Sequence, residues 1–191
     1  MAKLIYLMNT SLDGYSADRD GNLDWADLTG EVFAAITELV RPSGTYLYGR
    51  RMYEMMAVWE TAHLDPGGSA FTPGLLELER EFAAIWRAAD KIVFSTTLPA
   101  ASTPRTRIER AVDPDQIRQL KATSERDLTV GGPRLAAAMI AANLVDELQA
   151  FVHPIIVGGG HPWLPHDRRI PLELVGERRL GGVVHLRYQR P

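Results

Sequence analysis

Asp127-Leu128-Thr129-Val130-Gly131-Gly132-Pro133-Arg134-Leu135 is the stretch that decides the fold of this chain. A short β-branched run ends in two glycines, and Pro133 opens an alanine-rich segment, the pattern of a strand feeding a helix. Glycine admits close backbone approach, and proline at the first helical position gives up only an N–H that the helix leaves unpaired. The other free N–H groups of the first turn and the positive end of the helix dipole favour an anion, most often a phosphate or pyrophosphate. Taken alone, the segment reads first as a strand-to-helix turn with glycines for geometry, so its meaning depends on the rest of the chain.

Downstream, Asn143 closes the helix as a C′ residue, and Glu147 to Val152 reads as a strand. Pro154 to Gly160 is its irregular continuation, where three successive glycines suit a close approach to a ligand or another chain, or a wide bulge. After the Pro-rich loop 161–171, Leu172–Arg179 and Val183–Arg190 alternate around Gly181-Gly182 and predict a hairpin. Upstream, Asp113-Pro114 caps a helix to about Lys121, behind a short strand from Arg107 to Ala111. Lys91-Ile92-Val93-Phe94 reads as a buried strand ending in Ser95-Thr96-Thr97. Thr72-Pro73 opens a helix burying Leu75, Leu76, Leu78, Phe82, Ile85 and Trp86, preceded by a polar loop over 61–72 with Pro66, Gly67 and Gly68. Thr45-Tyr46-Leu47-Tyr48 is a strand running into the helical Gly49-Arg50-Arg51-Met52-Tyr53-Glu54. The first helix, Gly30 to Arg41, carries Val32, Phe33, Ile36, Leu39 and Val40 on one stripe between Thr29 and Pro42. Lys3 to Asn9 is a continuous apolar run, the mark of a central strand buried on both faces, and an ordered loop follows it to Trp25. Strand and helix alternate until the last hairpin, which predicts an α/β fold with a mostly parallel sheet and an antiparallel end.

The 191 residues fit one domain, with 46% apolar and 24% charged residues, the balance of a soluble globular protein. A net charge of −3 gives no basic footprint and disfavours nucleic acid as a partner. The absence of cysteine excludes disulfides, thiolate zinc sites and a cysteine nucleophile, and suits the cytoplasm. The first apolar run is too short to span a membrane and lacks a cleavage site, so a membrane role is not expected.

Three strand-to-helix junctions, Gly49-Arg50-Arg51, Ser95-Thr96-Thr97 and Gly131-Gly132, stand at strand ends, where ligands bind in open α/β sheets. Together they suit one extended phosphorylated ligand. With Ser11-Leu12-Asp13-Gly14-Tyr15 after the first strand, this order resembles the dihydrofolate reductase-like superfamily. Within it the chain is similar over nearly its whole length to stand-alone relatives of the reductase domain of bifunctional riboflavin-biosynthesis deaminase-reductases. The resemblance implies a central eight-stranded sheet with flanking helices over residues 1–191, NADPH as cofactor, hydride transfer to a small heterocyclic substrate, and a homodimer. It places Gly49 and Arg50 at the start of the cofactor-binding helix, Ser95 and Thr96 at the adenosine 2′-phosphate, and Gly131 and Gly132 under the pyrophosphate. The neighbouring Arg51, Thr97, Pro133, Arg134 and Leu135 join the expected cofactor set, and Met8 and Asn9 border the nicotinamide. The chain departs from the family at Met52, where a hydroxyl is common, and at Val130, where a substrate-reading carboxylate commonly stands. Those departures keep two alternatives open, dihydrofolate reductase itself and a nucleotide-binding protein of the same fold without catalysis.

Asp13 and Glu31 are the candidate catalytic carboxylates, with Asp27 beside them. Asp13 serves equally as an Asx-turn residue before Gly14, and Glu31 and Asp27 as dipole-complementing charges near the start of a helix. Trp25 and Trp59 read as an aromatic wall or as plain core. His161 and His166 lack a third ligand pattern and read as loop residues, so no metal is expected.

Overall fold

The computed structural model describes residues 1–26, 28–64 and 75–191. The chain runs β1 (Leu4–Ser11), β2 (Tyr15–Ala17), α1 (Gly30–Val40), β3 (Ser43–Gly49), α2 (Arg50–Met56), α3 (Leu76–Ala88), β4 (Asp90–Phe94), β5 (Thr106–Glu109), α4 (Pro114–Thr123), β6 (Asp127–Gly131), α5 (Pro133–Ala141), β7 (Glu147–His153), β8 (His161–Pro162), β9 (Glu173–Leu180) and β10 (Val183–Gln189). An eight-stranded sheet has the order β5-β4-β3-β6-β1-β7-β10-β9, and β2 pairs with β8 apart from it. The β3–β4, β4–β5 and β1–β7 pairs are parallel, whereas β10 runs antiparallel to both β7 and β9. The expected mostly parallel sheet with an antiparallel end is what the chain forms. By contacts the chain divides into two compact units, Met1–Ala2 with Leu28–Thr129 and Lys3–Asp27 with Val130–Pro191.

In the first unit, the Thr29 hydroxyl accepts from Val32 N and caps α1, whose stripe buries Val32, Phe33, Ile36 and Val40. Phe33 stacks on Trp59 at 5.9 Å, and Phe82 lies 4.7 Å from the Trp59 ring, so Trp59 is a core residue. Fully burying side chains of this size contributes about 1.5–3 kcal/mol each. The α3 stripe is rotated from the expected one: Glu79, Phe82, Ala83 and Trp86 are buried, while Leu75, Leu76, Leu78 and Ile85 are half-buried. The proposed start of that helix at Thr72-Pro73, and the Pro66, Gly67 and Gly68 loop, lie outside the described residues. Asp113 accepts from Asp115 N at 2.9 Å and Gln116 N at 3.4 Å with Pro114 at the first position, the cap read from sequence.

In the second unit, β1 carries the fully buried Leu4 and Tyr6 and is an interior strand, as its apolar run requires. The α5 helix buries Leu135, Ala136, Met139 and Ile140, and Asn143 takes the left-handed conformation of a C′ residue at φ 59°. The loop expected up to Trp25 contains a short strand, β2, because Ser16 Oγ donates to His161 O and the 161–162 segment lies alongside it. At the amino end of β7, the buried Glu147 carboxylate receives Lys3 Nζ at 3.2 Å, Arg187 Nε at 3.1 Å and Gln149 Nε2 at 2.6 Å. Burial alone would raise the Glu147 pKa, but hydrogen bonds from Arg187 and Lys3 outweigh it and hold the carboxyl below its ordinary value.

Candidate functional site

In the first unit, Gly49 and Phe94 pair at the carboxyl ends of the parallel β3 and β4. Gly49 has an ordinary φ of −76°, and a Cβ built on it would meet nothing within 4 Å. Neither backbone strain nor packing requires glycine there, so its small size leaves open space beside the junction. Arg50 follows, with Nε donating to Glu54 Oε1 at 2.7 Å and Nη1 donating to Thr97 Oγ1 at 3.0 Å. Since the Thr97 oxygen accepts from the guanidinium, its own O–H is left to donate elsewhere. Ser95 is buried, and its hydroxyl oxygen accepts from Thr97 N at 3.3 Å and Leu98 N at 3.0 Å, which folds the turn after β4. Thr96 and Thr97 are exposed beyond it, and so is Arg51.

Two residues that the sequence did not single out fix this turn. Arg110 Nη1 donates to Ser95 O at 2.9 Å and Leu98 O at 2.8 Å. Tyr53 Oη accepts from Ser102 N at 2.9 Å and Thr103 N at 3.0 Å. Burial pushes the Tyr53 phenol up, but hydrogen bonds from Ser102 and Thr103 outweigh that and leave it below its ordinary value. The available signal was position: Tyr53 lies three residues after Arg50 and is the buried side of α2.

In the second unit, Gly132 precedes α5 at φ 93°, a conformation that only glycine adopts readily, with Pro133 at the first helical position. Gly131 is buried, Arg134 is exposed, and the Leu135 side chain belongs to the core. Met8 and Asn9 are half-buried near the carboxyl end of β1, and Asn9 pairs in register with Phe151 of β7. Asn9 Oδ1 lies 3.0 Å from His153 Nε2, and the Trp25 ring meets His153 edge-on at 5.8 Å and 79°. His153 was missed because the sequence shows only the polar last residue of a strand. Tyr6, buried on β1, donates to Trp163 O at 2.8 Å and stacks on that ring, and burial pushes its phenol far up.

Both Asp13 oxygens are engaged by backbone, one accepting from Val157 N at 3.1 Å and the other from Gly158 N at 2.8 Å. The Ser11 hydroxyl and then those amides hold the Asp13 carboxyl below its ordinary value, so it is an ionised acceptor that positions the 154–160 segment. Arg19 Nη2 donates to Gly158 O at 3.1 Å, and a Cβ on Gly160 would fall 2.1 Å from Ala17 O. Gly160 therefore serves a close backbone crossing within the unit, while Gly158 and Gly159 share its positive φ. Glu31 lies exposed in the first turn of α1, where its charge complements the helix dipole. Asp27 lies outside the described residues. Among them, no helix is long and apolar enough to cross a membrane.

Comparison with known proteins places this geometry. The chain is 25% identical to the uncharacterized protein YyaP of Bacillus subtilis over 189 residues, covering 97% of this chain and 94% of YyaP. It is 25% identical to the uncharacterized protein YwjB of the same organism, covering 98% of each. Among solved structures, a putative riboflavin biosynthesis protein from Shewanella sp. PV-4 superposes with a TM-score of 0.71 at 21% identity, over 100% of this chain and 99% of that one. A diaminohydroxyphosphoribosylaminopyrimidine deaminase/5-amino-6-(5-phosphoribosylamino)uracil reductase from Thermotoga maritima gives a TM-score of 0.67 at 16% identity, over 100% of this chain and 57% of that one. These likenesses show the fold. The sequence model of the RibD C-terminal domain matches residues 2–186, and the chain belongs to that family.

Proposed function

We propose that the chain is an NADPH-dependent reductase of the riboflavin-biosynthesis reductase type, with residues 1–191 acting as one domain on a small heterocyclic substrate. The observation that carries this reading is the Arg50–Thr97 pair at the ends of β3 and β4. Glu54 and Thr97 hold the guanidinium by Nε and Nη1, and among the described residues nothing engages Nη2. A guanidinium edge and a free hydroxyl hydrogen form a donor set suited to a phosphomonoester, beside the space left open by Gly49. This fits the 2′-phosphate of NADPH, with Arg51, Ser95 and Thr96 completing that end. The Gly131–Leu135 turn fits the pyrophosphate through its backbone N–H groups, and Met8 and Asn9 fit the border of the nicotinamide. When bound, the cofactor supplies the hydride, and the protein supplies position and exclusion of water.

The test is a titration with NADPH and NADH followed by nicotinamide fluorescence and thermal shift. The expected result is NADPH binding tighter than NADH, with Arg50→Ala weakening NADPH about 10–100-fold and leaving NADH within twofold. Binding of neither nucleotide would sink the reading. A cytoplasmic homodimer belongs to the same reading, supported by the exposed Leu174, Val175 and Val184 on the β9–β10 hairpin and tested by light scattering.

A further inference from the structure

We propose that the amino end of β7 and the carboxyl end of α5 form a separate ligand site for a small aliphatic anion, a carboxylate or phosphate head on a short saturated chain. The site lies wholly within the second unit. The α5 helix is nine residues long, so this end of it stands roughly 13 Å from the Gly131-Gly132 turn.

Two cavities that share Ile140, Arg168, Ile170 and Arg190 make up the site. The inner one is about 100 Å³, with Val145, Leu148, Leu164 and Leu172 among its walls. It is smaller than the roughly 150 Å³ that admits a benzene ring, so a narrow alkyl chain fits it and a flat ring does not. The outer one is about 300 Å³, and there Arg169 joins Arg168 and Arg190. Among the described residues, no carboxylate lines either cavity.

Charge decides what the outer cavity takes. Arg190 Nη2 donates to Ile140 O at 2.8 Å, which offsets the negative end of the α5 dipole and leaves Nε and Nη1 without an acceptor among the described residues. Neither the Arg168 nor the Arg169 guanidinium has a partner among the described residues, although Asp167 is adjacent in sequence. The arginines of the neighbouring hairpin differ: Arg187 pairs with Glu147, and Arg179 donates to Gly181 O. Three guanidiniums around one opening repel one another until an oxyanion enters between them. Their planar forks match the oxygens of a carboxylate or phosphate. An inorganic anion would leave the apolar inner cavity unfilled, and a neutral alkyl chain would leave the guanidiniums unpaired.

The experiment is calorimetric titration of the full chain with pentanoate and pentyl phosphate, against acetate, inorganic phosphate and pentanol, with and without NADPH. The expected result is binding of at least one tailed anion with a Kd below about 1 mM, and binding about tenfold weaker or less for ligands that lack the tail or the charge. The tighter of the two tailed anions identifies the head group. The Arg168→Gln, Arg169→Gln double variant removes two exposed guanidiniums and is expected to weaken the tailed anion about tenfold with melting temperature unchanged. NADPH is expected to leave the affinity within about twofold, since the nucleotide is assigned to the other end of α5. Competition with NADPH would put the anion at the nucleotide ends and overturn the proposal. So would tailed anions that bind no tighter than acetate or phosphate, a double variant that binds as well as wild type, or no binding at all. Binding that disappears as light scattering shows the chain dimerise would seat a second copy over the cavities and overturn it too.

Discussion

The ends of β3 and β4 and the ends of β1 and β7 are both carboxyl edges of parallel pairs, yet they are finished in opposite ways. At β3–β4 the surface is charged and hydroxylated, and its groups are cross-braced: Arg50 to Glu54 and Thr97, Arg110 to two carbonyls, Tyr53 to two amides. At β1–β7 the charges brace a glycine strap, and the buried polar atom left without a partner among the described residues is the neutral Trp25 Nε1. A charge satisfied by backbone is a structural part, whereas a braced charge or donor with an unused hydrogen is available to a ligand. On that criterion the first edge suits an anion.

The largest expected effect breaks the strap. Gly160 sits at φ 145°, and an added Cβ would meet the Ala17 carbonyl oxygen at 2.1 Å, a backbone atom that cannot step aside. Gly160→Ala is expected to destabilise the chain by about 3 kcal/mol or more, a fall in Tm on the order of 10 °C. Calorimetry reads it. A Tm within 2 °C of wild type would show that the 154–160 crossing yields, and that the second edge is not the rigid one.

Next comes the brace on the first edge. Tyr53→Phe leaves the amides of Ser102 and Thr103 without their acceptor in the fold, which costs about 1–3 kcal/mol in urea unfolding. If the turn after β4 reads a phosphate, NADPH affinity falls with it while NADH affinity holds. Equal losses for both nucleotides would make Tyr53 purely structural and blunt the contrast between the edges.

Much of this architecture was legible because it follows from local pattern. The Thr29 and Asp113 caps, the Asn143 terminus and the Gly181-Gly182 hairpin each depend on residues adjacent in sequence. So did the Arg50–Thr97 edge in part, since both residues stand at strand ends that polar runs announce. Ser95 also folds the turn, its oxygen accepting from Thr97 N and Leu98 N, an arrangement that no spacing encodes. The β2 and β8 segments are too short to show a period. His153 and Arg110 gain their roles from partners distant in sequence, Asn9 for one and the Ser95 and Leu98 carbonyls for the other.

A smaller effect concerns the β7–β10 pairing, where His185 lies opposite Phe151. There His185 stacks on Phe151 and lies 2.9 Å from Gln149 Oε1, with Arg187, Arg178 and Glu147 as the charges around it. Burial, helped by Arg187 and Arg178, lowers its pKa to about 4. An unfolded histidine titrates near 6.5, so between those values the unfolded chain binds more protons. Stability is therefore full above about pH 6.5 and declines as pH falls toward 4, by at most ~3 kcal/mol. His185→Gln is expected to flatten this window without altering nucleotide affinity at pH 7.5, since the contacts of the side chain are with Phe151 and Gln149. An unchanged slope would assign the acid sensitivity elsewhere.

The smallest effect tests whether a carboxylate near the start of α1 does chemistry. Glu31 is exposed and is the acidic residue of that first turn, a placement that by itself contributes about 0.3–1 kcal/mol through the helix dipole. Glu31→Gln removes the charge and keeps the shape. A purely electrostatic role predicts a loss of stability within that range, shrinking with added salt, and turnover within twofold of wild type. A fall of kcat by tenfold or more, with nucleotide affinity and Tm intact, would instead make Glu31 a proton donor or substrate contact. It would also show that a ligand-facing charge can lie outside the braced edge, against the criterion drawn from comparing the two pairs of strand ends.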